Sequence, residues 1–139
     1  DPETAKLLEV TKKSLYLGAQ QAVAGNRIGD IGFAIQRYCE DNGFSVVREL
    51  VGHGIGKRLH ESPEIPNYGR AGQGKKLAEG MVICIEPMIN AGVKDIYLED
   101  NGWDVRTADG KKSAHFEFMV AVRKGVPDIL TTFEYIENK

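Results

Sequence analysis

Ala114-His115-Phe116-Glu117-Phe118-Met119-Val120-Ala121-Val122-Arg123 alternates along its length, and in a strand a period of two sends successive side chains to opposite faces. Phe116, Phe118, Val120 and Val122 then share one face, which other apolar groups must cover. His115 and Glu117 point the other way, with Met119 and Ala121. The stretch therefore predicts a sheet with one face packed on helices and another face free to carry chemistry.

Working outward from it, Asp109-Gly110 is a turn signal, and Trp103 to Thr107 alternates as a further strand before that turn. Met81 to Ile89 reads as one nearly continuous apolar strand closed by Asn90-Ala91-Gly92, and Phe44 to Leu50 is β-prone. Pro63 to Gly74 is rich in proline and glycine and reads as loop. Helices come first. Asp1 can cap a helix with Pro2 and Glu3 in its first turn, running to about Ala24 with Leu8, Leu15, Gly18 and Ala22 on one stripe, and Gly25 ends it. In a second helix from Ile28 to Asp41, Ile31, Ala34, Ile35, Tyr38 and Cys39 follow helical spacing, and Gly43 suits a left-handed cap. Two helices followed by hairpin-connected strands predict an α+β domain, a mostly antiparallel sheet with both helices on one face.

A chain of 139 residues, 42% of them apolar, is the size of a single domain with a working core, so residues 1–139 are expected to form one unit. A net charge of −2 with lysines scattered in pairs leaves no basic footprint for nucleic acid. No apolar run is long enough to span a bilayer. Cys39 and Cys84 sit in apolar stretches without a pairing motif, which predicts buried free thiols, a reducing compartment and a cytoplasmic protein. The chain opens on a helix start without an initiator methionine, as part of a longer polypeptide would.

Three stretches put imidazoles and carboxylates where metal chemistry would use them: Gly52-His53-Gly54-Ile55-Gly56 with His60-Glu61 following, Ile85-Glu86-Pro87-Met88, and Ala114-His115-Phe116-Glu117. Each alone has a plainer account: a glycine-rich turn for His53, a polar loop entering a proline turn for His60-Glu61, a buried salt bridge for Glu86, and an exposed ion pair for His115 and Glu117. Trp103 is by default a core or edge aromatic. The glycines around His53 match neither a dinucleotide fingerprint nor a phosphate loop, since Lys57, Val51 and Arg58 stand where those motifs need other residues. Glu86 is conspicuous because a carboxylate on an apolar strand is costly unless paired, hydrogen-bonded or on a metal. Together, ligand types on separate β segments of one small domain point to a binding site.

In this order and spacing, Gly-His-Gly-Ile-Gly, His60-Glu61-x-Pro63, Gly80-Met81 running into Ile85-Glu86-Pro87-Met88, Asn101-Gly102-Trp103 and Ala114-His115-Phe116-Glu117 resemble type I methionine aminopeptidase, the pita-bread metallopeptidase. The resemblance covers essentially the whole chain, but only the C-terminal half of that enzyme. It implies half of a pita-bread fold and removal of N-terminal methionine from peptides and nascent proteins. Its two-metal site uses one histidine, two glutamates and two aspartates, and His53, Glu86 and Glu117 match three of these five ligands. It further implies that Glu117 bridges the ions, that Glu86 takes a proton from the attacking water, and that His60 contacts the scissile carbonyl. Leu59 and Trp103 would lie by the methionine pocket. Mostly oxygen donors with one imidazole suit cobalt, manganese, iron or zinc, and Cys39 and Cys84 need not participate. The family's two aspartates precede the segment that begins here. The resemblance therefore implies at most one weakly held ion in this chain, and little or no activity until the missing N-terminal half is supplied. Members commonly continue as Glu-His-Thr, whereas this chain has Glu117-Phe118-Met119. Two other readings are an Xaa-Pro aminopeptidase-like hydrolase and a non-catalytic pita-bread peptide- or protein-binding module. An open sheet face would also favour self-association.

Overall fold

The computed structural model describes residues 1–131 except Trp103. Helix α1 spans Pro2–Gln20, with the Asp1 carboxylate accepting from the Thr4 backbone N–H at 2.8 Å. Its buried stripe is Leu7, Val10, Thr11, Ser14, Leu15, Gly18 and Ala19, one position off the expected one at its start, so Leu8 stays 44% exposed. The helix also stops short of Ala24. Beyond Gln20 the chain bonds to other segments: Ala24 N–H donates to the Arg123 carbonyl at 2.9 Å and Gly25 N–H to that of Leu77 at 3.0 Å. Helix α2 spans Ile28–Asp41 as its periodicity predicts, burying Ile28, Ile31, Ile35 and Cys39. Gly43 beyond it takes φ +83°, the left-handed conformation that glycine adopts without strain.

The strands are shorter and more numerous than the sequence reading. They are β1 Ser45–Val46, β2 Gly52–Ile55, β3 Glu61–Ile65, β4 Val82–Ile85, β5 Met88–Asn90, β6 Ile96–Leu98, β7 Val105–Thr107, β8 Ser113–His115, β9 Phe118–Ala121 and β10 Asp128–Ile129. One sheet has the order β10-β9-β4-β2-β3, a second β1-β5-β8, and β6 and β7 form a separate ribbon. Every one of these strand pairs is antiparallel. Helix α1 lies on β4, β5, β8 and β9, and α2 on α1, β1 and β3. The core between helices and sheets holds Leu7, Leu15, Ile31, Ile35, Ile65, Ile83, Ile85, Phe118, Val120 and Val122. The Phe118 ring meets Tyr16 edge-on, with ring centroids 4.8 Å apart.

Several expected elements are revised. The Met81 to Ile89 strand breaks at Glu86-Pro87, because proline has no N–H to continue a ladder, and its halves join different sheets. The Ala114 to Arg123 strand breaks at Phe116-Glu117 beside it, and Phe116 N–H reaches the Pro87 carbonyl at 3.4 Å. Its facial assignment holds through the break: Phe118, Val120 and Val122 are buried and His115 and Glu117 exposed. Asp109-Gly110 does turn the chain, but β7 pairs with β6 and β8 with β5, so the strands flanking the turn do not form a hairpin. Within the expected loop, Pro63 belongs to β3, an edge strand where a missing donor is tolerated.

Candidate metal centre

The two central strand pairings assemble the site. In β2–β4, His53 opposes Cys84; in β4–β9, Cys84 opposes Met119. Opposed residues project from the same face, so an imidazole, a thiol and a thioether form one row across three strands. Glu86 follows Cys84 by two residues and Glu117 precedes Met119 by two, which puts both on that face. The last register pair is Ile85 with Phe118. One step beyond it, Glu86 and Glu117 stand opposite each other at the corner where both strands leave the sheet.

His53, His60, Leu59, Cys84, Glu86 and Glu117 border one cavity of about 320 Å³, with Met119 also in its wall. His53 Nε2 lies 2.9 Å from Glu86 Oε2, both side chains being largely buried. His53 Nδ1 is 3.0 Å from the Gly54 carbonyl, so the tautomer that donates there leaves Nε2 with a lone pair toward Glu86. The His60 ring stands perpendicular to that of His53, centroids 4.0 Å apart, although His60 itself is exposed. Leu59 is 72% exposed at the rim. Trp103, the other expected substrate-pocket residue, lies outside the described residues.

Three side chains that the sequence reading gave no place in the site belong to its surroundings. His115 Nε2 is 3.9 Å from Glu86 Oε1, on the side away from His53. It is in register with Met88, two residues past Glu86; the sequence placed its stretch among those suited to metal chemistry, with an exposed ion pair to Glu117 as the plainer account, and assigned it no role in the site. Asn67, fully buried, donates from Nδ2 to the carbonyls of Leu50 at 3.3 Å and Glu86 at 3.2 Å. It braces the Glu86 backbone across the sheet, a long-range contact with no local sequence signature. Cys84 is buried, and its thiol is pushed up to about 11, first by burial and then by the charges of Glu86 and Glu117. Both carboxylates therefore act on the same sulfur.

The donor set fits a divalent cation. Two carboxylates one step past a ladder would repel, and a cation between them converts that cost into attraction. Ligand atoms of His53, Cys84 and Glu86 all lie within 4.8 Å of one another. No aspartate borders the cavity among the described residues.

A model of metallopeptidase family M24 matches residues 1–124. The methionine aminopeptidase of Clostridium acetobutylicum is 52% identical over 132 residues, covering 95% of this chain and 53% of that protein. Methionine aminopeptidase 1 of Bacillus subtilis is 53% identical over 126 residues, covering 91% of this chain and 51% of that protein. The crystal structure of methionine aminopeptidase from Rickettsia prowazekii superposes with a TM-score of 0.92 at 44% identity, over 95% of this chain and 54% of that one. This chain thus spans about half the length of the curated relatives it matches. Its two helices over antiparallel sheets are those of half a pita-bread fold, as the resemblance implied. With a family model over most of its length and relatives half identical to it, the chain belongs to metallopeptidase family M24.

Proposed function

We propose that this chain supplies the histidine and glutamate side of the metal centre of a methionine aminopeptidase, which removes N-terminal methionine from peptides and nascent proteins. The convergence of His53, Glu86 and Glu117 on one cavity carries this reading. A metallopeptidase uses divalent metal ions, and here three of the five expected ligands would hold at most one of them, weakly. Cobalt, manganese, iron and zinc all suit the donors. Bound there, such an ion would polarise the peptide carbonyl and lower the pKa of the attacking water.

The chain's own groups divide the remaining work. Glu86, a ligand whose carboxylate lies 2.9 Å from the His53 ring nitrogen, takes the proton of the attacking water at Oε and delivers it to the leaving amine. Glu117 compensates cationic charge from the opposite strand. His60, at the rim and perpendicular to His53, reaches outward to donate a hydrogen bond to the scissile carbonyl oxygen as charge develops on it. Leu59, at the rim, offers the methionine side chain an apolar wall, a role the resemblance also assigns to Trp103. Residues 1–139 in this reading are one domain, the C-terminal half of the catalytic unit, whose partner is the N-terminal half carrying two aspartates or, failing that, a second copy across the open sheet face. Two free cysteines agree with work in the cytoplasm, and none of the described helices is long and apolar enough to cross a membrane.

The test is reconstitution. Co-expressed with the N-terminal half of the Bacillus subtilis relative, the chain is expected to release methionine from a methionyl peptide in cobalt(II) or manganese(II), with turnover abolished in E86Q and falling at least tenfold in H60A. A reconstituted pair that binds metal yet leaves methionyl peptides intact would refute the activity.

A further inference from the structure

We propose that Cys84 is a metal ligand, so that this centre is a mixed nitrogen, sulfur and oxygen site made by His53, Cys84 and Glu86 and selective for thiophilic divalent cations such as zinc, cobalt and cadmium. The proposal rests on the metal-centre reading above but departs from the ligand set expected there, in which neither cysteine takes part. The geometry is that of the sheet itself. Cys84 is directly opposed to His53 in the β2–β4 register, and Glu86 follows on the same face. Their three ligand atoms lie within 4.8 Å of one another, and the His53 to Glu86 pair is already at 2.9 Å. Ligands bound to one ion at 2.0–2.3 Å stand about 3.3–3.8 Å apart in a tetrahedron.

The surroundings favour a soft ion as well. Met119, in register with Cys84 on β9, brings a thioether to the same cavity. The family pattern quoted above commonly has threonine there. Sulfur donors shift a site away from manganese and magnesium, which prefer oxygen, toward zinc and its softer relatives. Ligation breaks the S–H bond and forms a sulfur–metal bond; the proton leaves to solvent and no oxidant is needed.

The test is a titration of the full chain with cobalt(II), read by absorbance, and with cadmium(II), read by affinity and by cadmium NMR. The native chain is expected to show a near-ultraviolet sulfur-to-cobalt charge-transfer band and a cadmium resonance shifted downfield as thiolate ligation requires. C39S keeps both signals. C84S loses the band, and its cadmium affinity falls by more than the roughly 10–100-fold that an outer-shell partner costs. The resonance of the native chain reports independently of whether C84S folds. Cobalt binding that shows only visible ligand-field bands and is lost in E86Q would overturn the thiolate while leaving the metal centre standing. A charge-transfer band that persists in C84S would also overturn it. Neither result depends on peptide turnover, so a failure here is distinct from a failure of the aminopeptidase reading.

Discussion

Substituting Gly52 tests whether sheet geometry holds the metal centre. A Cβ at Gly52 would stand 2.1 Å from the Cys84 carbonyl oxygen and 3.3 Å from the Ile65 Cβ. Ordinary contact begins near 3.4 Å, so strand β2 would have to retreat from β4 by about 1.3 Å. The obstructing atom is backbone in a paired strand and cannot rotate away. Overpacking of this kind costs about 1–3 kcal/mol, and one or two weakened ladder hydrogen bonds add roughly 1 kcal/mol each. G52A is thus expected to lose about 2–5 kcal/mol. Gly56 is the control. Its Cβ would meet Glu61 Oε2 at 2.4 Å, a similar overlap, but with the end of a flexible side chain. Turning Glu61 aside sacrifices its 2.8 Å bond from the Arg58 N–H, worth about 0.5–1.5 kcal/mol. Urea unfolding followed by circular dichroism measures both, and cobalt(II) titration of G52A should show weakened binding because His53 is the next residue. Equal unfolding midpoints for G52A and G56A would refute the claim that rigid backbone contact at β2 positions His53.

The other predictions use the same two assays. F118A removes a ring that is 1% exposed and packed on Tyr16, so it should cost about 3–5 kcal/mol; a loss below about 1 kcal/mol would mean that the core closes without it. N67A leaves the Leu50 and Glu86 carbonyls without their donor, and is expected to lose about 1–3 kcal/mol and to weaken cobalt binding about tenfold; unchanged metal affinity would show that the Glu86 backbone needs no brace. Cys39 is fully buried, and burial chiefly pushes its thiol from 9.0 up to about 11, against a lowering hydrogen bond from Ser14. The folded state therefore favours the protonated thiol: this stability is intact below pH 9.0 and lost as pH rises toward 11, amounting to roughly 3 kcal/mol. Native protein should accordingly lose that much more than C39A across the interval, and parallel pH profiles would contradict it.

Periodicity revealed the helix over 28–41, the buried face of Phe118, Val120 and Val122, and the shared outward face of His115 and Glu117, because each depends on local spacing that the core enforces. The one-residue offset of the α1 stripe arose because Leu7 and Leu8 are adjacent and both apolar, and only the partners of the helix decide which turns inward. The strand breaks at Glu86-Pro87 and Phe116-Glu117 were passed over because apolar residues flank both points; Pro87 lacks a ladder donor, but only pairing shows that the two halves serve different sheets. The candidate ligands His53, Glu86 and Glu117 were visible as motifs. Cys84 was not, since its place beside His53 exists only in the β2–β4 register. Asn67 and His115 likewise gain their relation to Glu86 from contacts between distant segments.

Glu86 sits where the polypeptide passes from the five-stranded sheet to the three-stranded one, while His53 stays with the former. A tilt between the two sheets consequently moves a carboxylate against an imidazole that does not follow. The spacing of these two side chains therefore depends on how the two sheets sit on each other. A ligand wedged between the sheets at a distance would register as a change in ion affinity, and a tightly held ion would in turn stiffen the whole assembly.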